Sequence, residues 1–129
     1  MDAVTHVPAP INETVLDYAP GSPERAALEV ALVELSGPKH DLPHTIGGVR
    51  VEGKGPRLEV RQPHAHAKVL GVTRGATKTE AAAAVDAAVA AAPAWRDMAF
   101  DDRAAILLKA ADLLAGPWRA KINAATMLG

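Results

Sequence analysis

Cysteine is absent from the 129 residues of this chain. Without thiols the chain can form no disulfide, bind no metal through sulfur and use no cysteine nucleophile. The absence suits a reducing compartment, and we therefore expect a cytoplasmic protein.

Aromatic residues are also scarce, with two Trp, one Tyr and one Phe. Alanine and valine dominate the apolar fraction, so any core would bury little area per residue, and we expect it to be marginal. No uninterrupted apolar run approaches the 18 or so residues of a membrane span, and the first residues lack the pattern of a secretory signal. The sequence therefore predicts no membrane span.

Neither sign of charge is in excess. The chain has fourteen basic and fifteen acidic residues, which give a formal net charge of −1. This balance offers no basic surface for nucleic acid and no acidic tail, so we expect neither a nucleic acid nor another charged polymer as partner.

The first third of the chain reads as an arm followed by a helix. Prolines and small or polar residues predict an extended arm over residues 1–21. Ser22 and Pro23 fit the N-cap and first position of a helix that runs to Ser36. Gly37 should end it in a left-handed cap, with Pro38 behind it, and residues 38–44 should be loop.

Short strands are predicted next, because the apolar period changes to two. Residues 45–46 and 49–52 form a hairpin about Gly47 and Gly48, and further strands cover 58–62 and 68–73. We expect three or four short antiparallel strands with open edges.

Helices are predicted for the remainder. Thr77 and Glu80 form a capping box before an alanine-rich helix that Pro93 should kink or end before Trp95. A second helix should open at Asp101 or Asp102 and run to Ala115. A third should follow Pro117, and its apolar face is expected at Trp118, Ile122, Ala125 and Met127. Because no polar final turn follows, we expect the sequence to stop inside a larger fold.

Few side chains form a recognisable chemical site. His64 and His66 are two residues apart, with His40 and His44 nearby, but no carboxylate or thiol completes a metal pattern, so loop histidines are the favoured interpretation. The glycines at 47–48 and 71–75 lack the strand and helix context of a phosphate loop and indicate turns. Three aromatic side chains are expected to be packing anchors between helices: Trp95, Phe100 and Trp118.

Several sequence motifs in this chain resemble those of a known protein family. Leu114-Ala-Gly-Pro-Trp-Arg119 and Asn123-Ala-Ala-Thr-Met-Leu-Gly129 resemble the amino-terminal part of the 1-pyrroline-5-carboxylate dehydrogenases, within the aldehyde dehydrogenase superfamily. Upstream segments agree in order: Asn12-Glu13, Tyr18-Ala-Pro-Gly-Ser-Pro-Glu-Arg25, Ile46-Gly-Gly48, Pro63-His64 with His66, and Val69-Leu-Gly71. The resemblance covers nearly the whole chain.

The resemblance implies an α+β fragment of an α/β aldehyde dehydrogenase fold. It implies an arm over residues 1–21, a helix plus short antiparallel strands over 22–76, and the helical part of an incomplete nucleotide-binding domain over 77–129. The complete enzyme would oxidise L-glutamate γ-semialdehyde with NAD through a cysteine thiolate and a glutamate. Those two residues and the NAD site are expected outside this chain.

Accordingly, no residue of this chain is assigned a catalytic, cofactor-binding or metal-binding role. The expected partner is the remainder of the dehydrogenase or its homo-oligomer, and Leu107, Leu114 and Ile122 should be partly exposed in the isolated chain, with poor independent stability. Two other functions stay open: a small helical interaction or oligomerisation module without catalysis, and a non-catalytic regulator that joins the full-length enzyme's oligomer.

Overall fold

The computed structural model describes residues 9–129, so the first eight residues of the predicted arm lie outside it. Residues 9–19 contain no helix or strand. The elements that follow are α1 (Pro23–Ser36), β1 (His40–Asp41), β2 (His44–Ile46), β3 (Val49–Val51), β4 (Arg57–Gln62), β5 (Ala65–Arg74), α2 (Lys78–Asp97), α3 (Phe100–Ala115) and α4 (Arg119–Leu128). The expected α+β composition is confirmed.

Helix α1 has the predicted limits. The Ser22 hydroxyl accepts the backbone N–H of Arg25 at 3.3 Å, as an N-cap should. The predicted left-handed cap is wrong, because Gly37 has right-handed angles, φ −78° and ψ −67°. Pro38, which cannot donate the next backbone hydrogen bond, follows directly after it.

Residues 38–44 were expected to be loop, and this prediction is wrong in two places. His40–Asp41 forms β1, which pairs in parallel with β5 through His40 opposite Gly71, and β2 already begins at His44. Beyond β1, Leu42 donates its N–H to the Val72 carbonyl at 3.0 Å. The local pattern could not reveal β1 because its partner lies about 30 residues downstream.

Two hairpins confirm the antiparallel predictions. β2 and β3 pair with Ile46 opposite Val49, and both turn glycines have positive φ, 58° at Gly47 and 79° at Gly48, as a tight twisted turn requires. β4 pairs with β5 about the turn at 63–64, and the three-stranded sheet has the order β1-β5-β4. β5 is ten residues long and exceeds the predicted 68–73.

Helix α2 begins with the predicted capping box of Thr77 and Glu80 but does not end before Trp95. It continues through Pro93 to Asp97. Pro93 removes one backbone donor, and the high helix propensity of the surrounding alanines outweighs that loss. Helix α3 then starts at Phe100, one residue ahead of the predicted Asp101, after an N-cap at Ala99 with no side-chain hydrogen bond.

Helix α4 packs against α1 and closes the small core of the molecule. The buried apolar residues in the described part of the chain are Ala31, Ala124 and Leu128. The residues of the predicted apolar face of α4, Trp118, Ile122, Ala125 and Met127, are exposed. The expected partial exposure of Leu107, Leu114 and Ile122 is confirmed. The residues that α4 buries, Ala124 and Leu128, are four apart on another side of the helix. Across residues 9–129 no helix has the length and hydropathy needed to cross a bilayer.

Candidate docking surface

Helix α3 carries a broad apolar face that nothing in the described chain covers. Its polar residues Asp101, Lys109 and Asp112 fall on one side, by the helical period of 3.6. The opposite side carries Arg103 and four exposed large apolar side chains, with Leu107 at 64%: Phe100, Ile106, Leu107 and Leu114. Leu108, also exposed, lies beside Asp101 on the polar side. Such a face is typical of a helix that packs on a partner.

Helix α2 contacts the body of the molecule along one narrow side. Ala84 and Ala87 are half-buried, and a Cβ on Gly47 of the β2–β3 turn would lie 3.8 Å from the Ala87 Cβ. Val85 and Val89 fall on the opposite side and are exposed. The side chain of Trp95 is 41% exposed, so this predicted packing anchor has no full partner here. Helix α2 therefore presents a second apolar side to solvent.

Surface area gives the same result for the whole chain. The accessible surface is 9885 Å². A compact monomer of 13.4 kDa is expected to expose only about 6,500 Å² by the scaling of area with mass. The excess comes from the arm, which has no regular structure over residues 9–19, together with the exposed sides of α2 and α3. We therefore take the exposed apolar sides of α2 and α3 together as the candidate docking surface.

A cleft of about 240 Å³ lies where β1, β3 and β5 end. Arg74 and Glu52 form an ion pair beside it, with 3.3 Å between Nε and Oε1. Its volume is below the roughly 300–1,000 Å³ of small-molecule sites, and its one arginine is already paired with Glu52. The lining residues are Asp41, Leu42, Pro43, Glu52, Gly53, Val72, Thr73 and Arg74.

The carboxylate groups with a shifted pKa serve local structure. The backbone N–H and the hydroxyl of Thr77 donate to Glu80, as does the N–H of Lys54, and these bonds lower the pKa of Glu80. The guanidinium of Arg57 donates to Glu59 and lowers its pKa, with Arg61 adding to the effect. Glu59 is exposed at the surface, Glu80 is half-buried, and both pKa values are lowered, so neither has the raised pKa of a catalytic acid or base.

The histidines considered in the sequence are not brought together. His40 Nε2 lies 3.0 Å from the Leu35 carbonyl oxygen and His44 Nε2 lies 2.8 Å from that of Arg74. His64 and His66 are exposed at the β4–β5 turn and on β5. Within residues 9–129, no three side chains of the metal-binding types converge.

The sequence reasoning missed one set of polar contacts. Arg119 and Asn123 on α4 bind residues of the arm, including Tyr18, across 105 positions of sequence. No local pattern could have indicated this pairing, since neither residue type nor spacing encodes so distant a partner.

Comparison with known proteins agrees with this architecture. The model of the aldehyde dehydrogenase family matches residues 50–126. Delta-1-pyrroline-5-carboxylate dehydrogenase of Agaricus bisporus is 41% identical over 128 residues, which cover 98% of this chain and 23% of that protein. The mitochondrial enzyme of that name from Homo sapiens is 41% identical over 118 residues, or 92% and 21%.

A solved structure gives the same result in three dimensions. The Delta-pyrroline-5-carboxylate dehydrogenase of Mycobacterium tuberculosis, bound with NAD, superposes with a TM-score of 0.95 at 57% identity, over 99% of this chain and 24% of that one. The chain thus spans about a quarter of the length of the relatives it matches. With a family match over more than half of its residues, this chain belongs to the aldehyde dehydrogenase family.

Proposed function

We propose that this chain is the amino-terminal section of an NAD-dependent dehydrogenase that oxidises L-glutamate γ-semialdehyde, in equilibrium with 1-pyrroline-5-carboxylate, to L-glutamate in proline degradation. The observation that carries the proposal is the shared name of relatives that match nearly the whole chain, at up to 57% identity. The cytoplasmic placement belongs to this proposal, and it rests on the absence of cysteine, although the human relative is named mitochondrial.

Within that enzyme, the section has a structural role. The candidate docking surface packs on the remainder of the dehydrogenase and supplies helices to its nucleotide-binding domain. Full burial of an exposed large apolar side chain contributes about 1.5–3 kcal/mol. The four apolar side chains of α3 are already about half buried, so covering them would contribute on the order of 5 kcal/mol. The division into 1–21, 22–76 and 77–129 is part of the same proposal.

The described residues do not fit an NAD site. The cleft beside Arg74 is smaller than a dinucleotide needs, and its arginine is already paired with Glu52. Gly47 and Gly48 form a hairpin turn and precede no helix that could receive a pyrophosphate. We therefore assign hydride transfer and thiolate chemistry to other residues of the complete enzyme.

Complementation tests the proposal. Residues 1–129 are co-expressed with a related dehydrogenase that lacks its matching section, and we measure co-purification and aldehyde-dependent reduction of NAD. Leu107→Glu places a charge in the docking surface and should abolish both, whereas Lys109→Glu, on the polar side of α3, should abolish neither. Activity without residues 1–129, or equal effects of the two variants, would contradict the proposal.

The exposed face of α3 also favours a second function. A helical interaction or oligomerisation module without catalysis would use the same side chains to bind a partner. Light scattering with a thermal melt distinguishes the two: a cooperative melt of a defined species that fails to complement would support the module.

A further inference from the structure

Helix α4 holds the arm through two side chains one turn apart. Asn123 Nδ2 donates to the Tyr18 hydroxyl oxygen at 2.9 Å. Arg119 Nη1 donates to the Thr14 carbonyl oxygen at 3.0 Å, and its Nη2 lies 3.7 Å from Glu13 Oε1. The three contacts fasten residues 13–18, which have no regular structure of their own, to one side of α4.

The contacts between α4 and residues 13–18 are partly shielded from water, and they include Tyr18, whose backbone is strained. The Arg119 side chain is only 20% exposed, and Tyr18 and Asn123 are half-buried. Tyr18 has φ 54°, in the left-handed region that bulky residues rarely adopt. Such a conformation persists only where its surroundings hold it, and two contacts do so here. The Asp17 carboxylate accepts the Ala19 N–H at 3.1 Å across Tyr18, and the Tyr18 hydroxyl accepts from Asn123 on α4.

The same helix depends on other elements for its order. With ten residues and no side-chain hydrogen bond at its N-cap, α4 is too short to be stable alone. It buries Ala124 and Leu128 where it packs on α1 and binds the arm through Arg119 and Asn123. Loss of either contact should therefore weaken the other.

We propose that residues 13–18 are a reversible strap. Closed on Arg119 and Asn123, the strap fixes α4 against α1. Open, it relaxes Tyr18 and releases α4, so that the small core around Ala31, Ala124 and Leu128 opens with it. The proposal does not rest on the proposed function, because all of these contacts lie within residues 9–129.

Hydrogen exchange with mass spectrometry on residues 1–129 tests the strap. Loss of one hydrogen bond should raise the opening equilibrium about fivefold to tenfold. Asn123→Ala and Arg119→Ala should each speed exchange at Ala19, whose N–H the Asp17 carboxylate accepts at 3.1 Å, and at the hydrogen-bonded amides of α4. The control Lys121→Ala, at an exposed position of α4, should change neither.

A smaller change, Tyr18→Phe, separates loss of the strap contact from general unfolding of the chain. Tyr18→Phe removes only the hydroxyl that Asn123 binds, so it should give the same acceleration as Asn123→Ala, and the double variant should add nothing further. Unchanged exchange in α4 would overturn the proposal whatever happens at Ala19, because the strap would then not secure the helix. Additive effects of Tyr18→Phe and Asn123→Ala would overturn it too.

Discussion

Both carboxylate oxygens of Glu80 lie 3.2 Å from the backbone nitrogen of Lys54, although 26 residues separate the two in sequence. The same carboxylate accepts the Thr77 N–H and the Thr77 hydroxyl, each at 2.8 Å. One side chain thus caps α2 and ties the start of that helix to the loop between β3 and β4. This contact fixes α2, and with it half of the candidate docking surface, on the strands.

Thr77→Ala should destabilise the chain by about 1 kcal/mol, the usual cost of removing an N-cap hydroxyl. The variant removes the bond from the Glu80 N–H to Thr77 Oγ1 as well as one donor to the carboxylate. Thermal melts followed by far-UV circular dichroism provide the measurement. Thr79→Ala, at an exposed position two residues further along the chain, is the matched control and should change stability by less than about 0.5 kcal/mol.

The free energy of unfolding should decrease as the pH is lowered, and part of this decrease should come from Glu80. The hydrogen bonds from Thr77 and Lys54 hold the pKa of Glu80 below its ordinary value of 4.5. Because the pKa of Glu80 is lower in the folded state than in the unfolded state, the carboxylate stabilises the fold at pH values above 4.5. This stabilisation is lost as the pH falls below 4.5 and through the folded-state pKa. Melts on either side of pH 4.5 should show a weaker pH dependence in Glu80→Gln, and an unchanged slope would refute the assignment.

Gly53→Ala should be among the most damaging small substitutions. A Cβ at this buried position would lie 2.5 Å from the Arg74 carbonyl oxygen and 2.6 Å from that of Gly75. The backbone of two strand ends must then move apart, which costs about 1–3 kcal/mol or more. Gly37→Ala is the control, because its Cβ would lie 3.6 Å from the nearest atom, and its melt should stay close to that of the parent chain.

Overpacking at the α1–α4 contact should distinguish the two sides of α4. Ala124 is 0% exposed, so Ala124→Leu forces extra volume into the small core and should cost about 1–3 kcal/mol. The neighbouring Ala125→Leu adds the same atoms on an exposed side and should be nearly neutral. Urea unfolding of both variants measures the difference. Equal losses would mean that α4 does not pack as described.

Local signals in the sequence were sufficient for several elements. Ser22 with Pro23, and Thr77 with Glu80, predicted the starts of α1 and α2 because a helix start uses side chains within three residues of itself. Gly47 and Gly48 predicted the β2–β3 hairpin because a tight turn requires positive φ.

Local signals failed where the decisive partner was distant or where two local effects compete. β1 has no strand pattern of its own and exists through its pairing with β5. At Pro93 a kink or an end of the helix was predicted, and the end is wrong because α2 continues to Asp97 in an alanine-rich sequence that favours helix. The side of α4 that packs on α1, at Ala124 and Leu128, has no distinctive pattern in the sequence and becomes visible only in the fold.

The sequence by itself determined the family, the α+β composition and the apolar sides of the helices, because each follows from motifs or from periods within a single segment. It also excluded thiol chemistry, since no cysteine is present. Only the tertiary structure decided which apolar side is covered and which stays open, how Glu80 joins Lys54, and that Arg119 and Asn123 hold the arm. These relationships join residues 26 to 105 positions apart, and the spacing of residue types along a chain carries no information about such contacts.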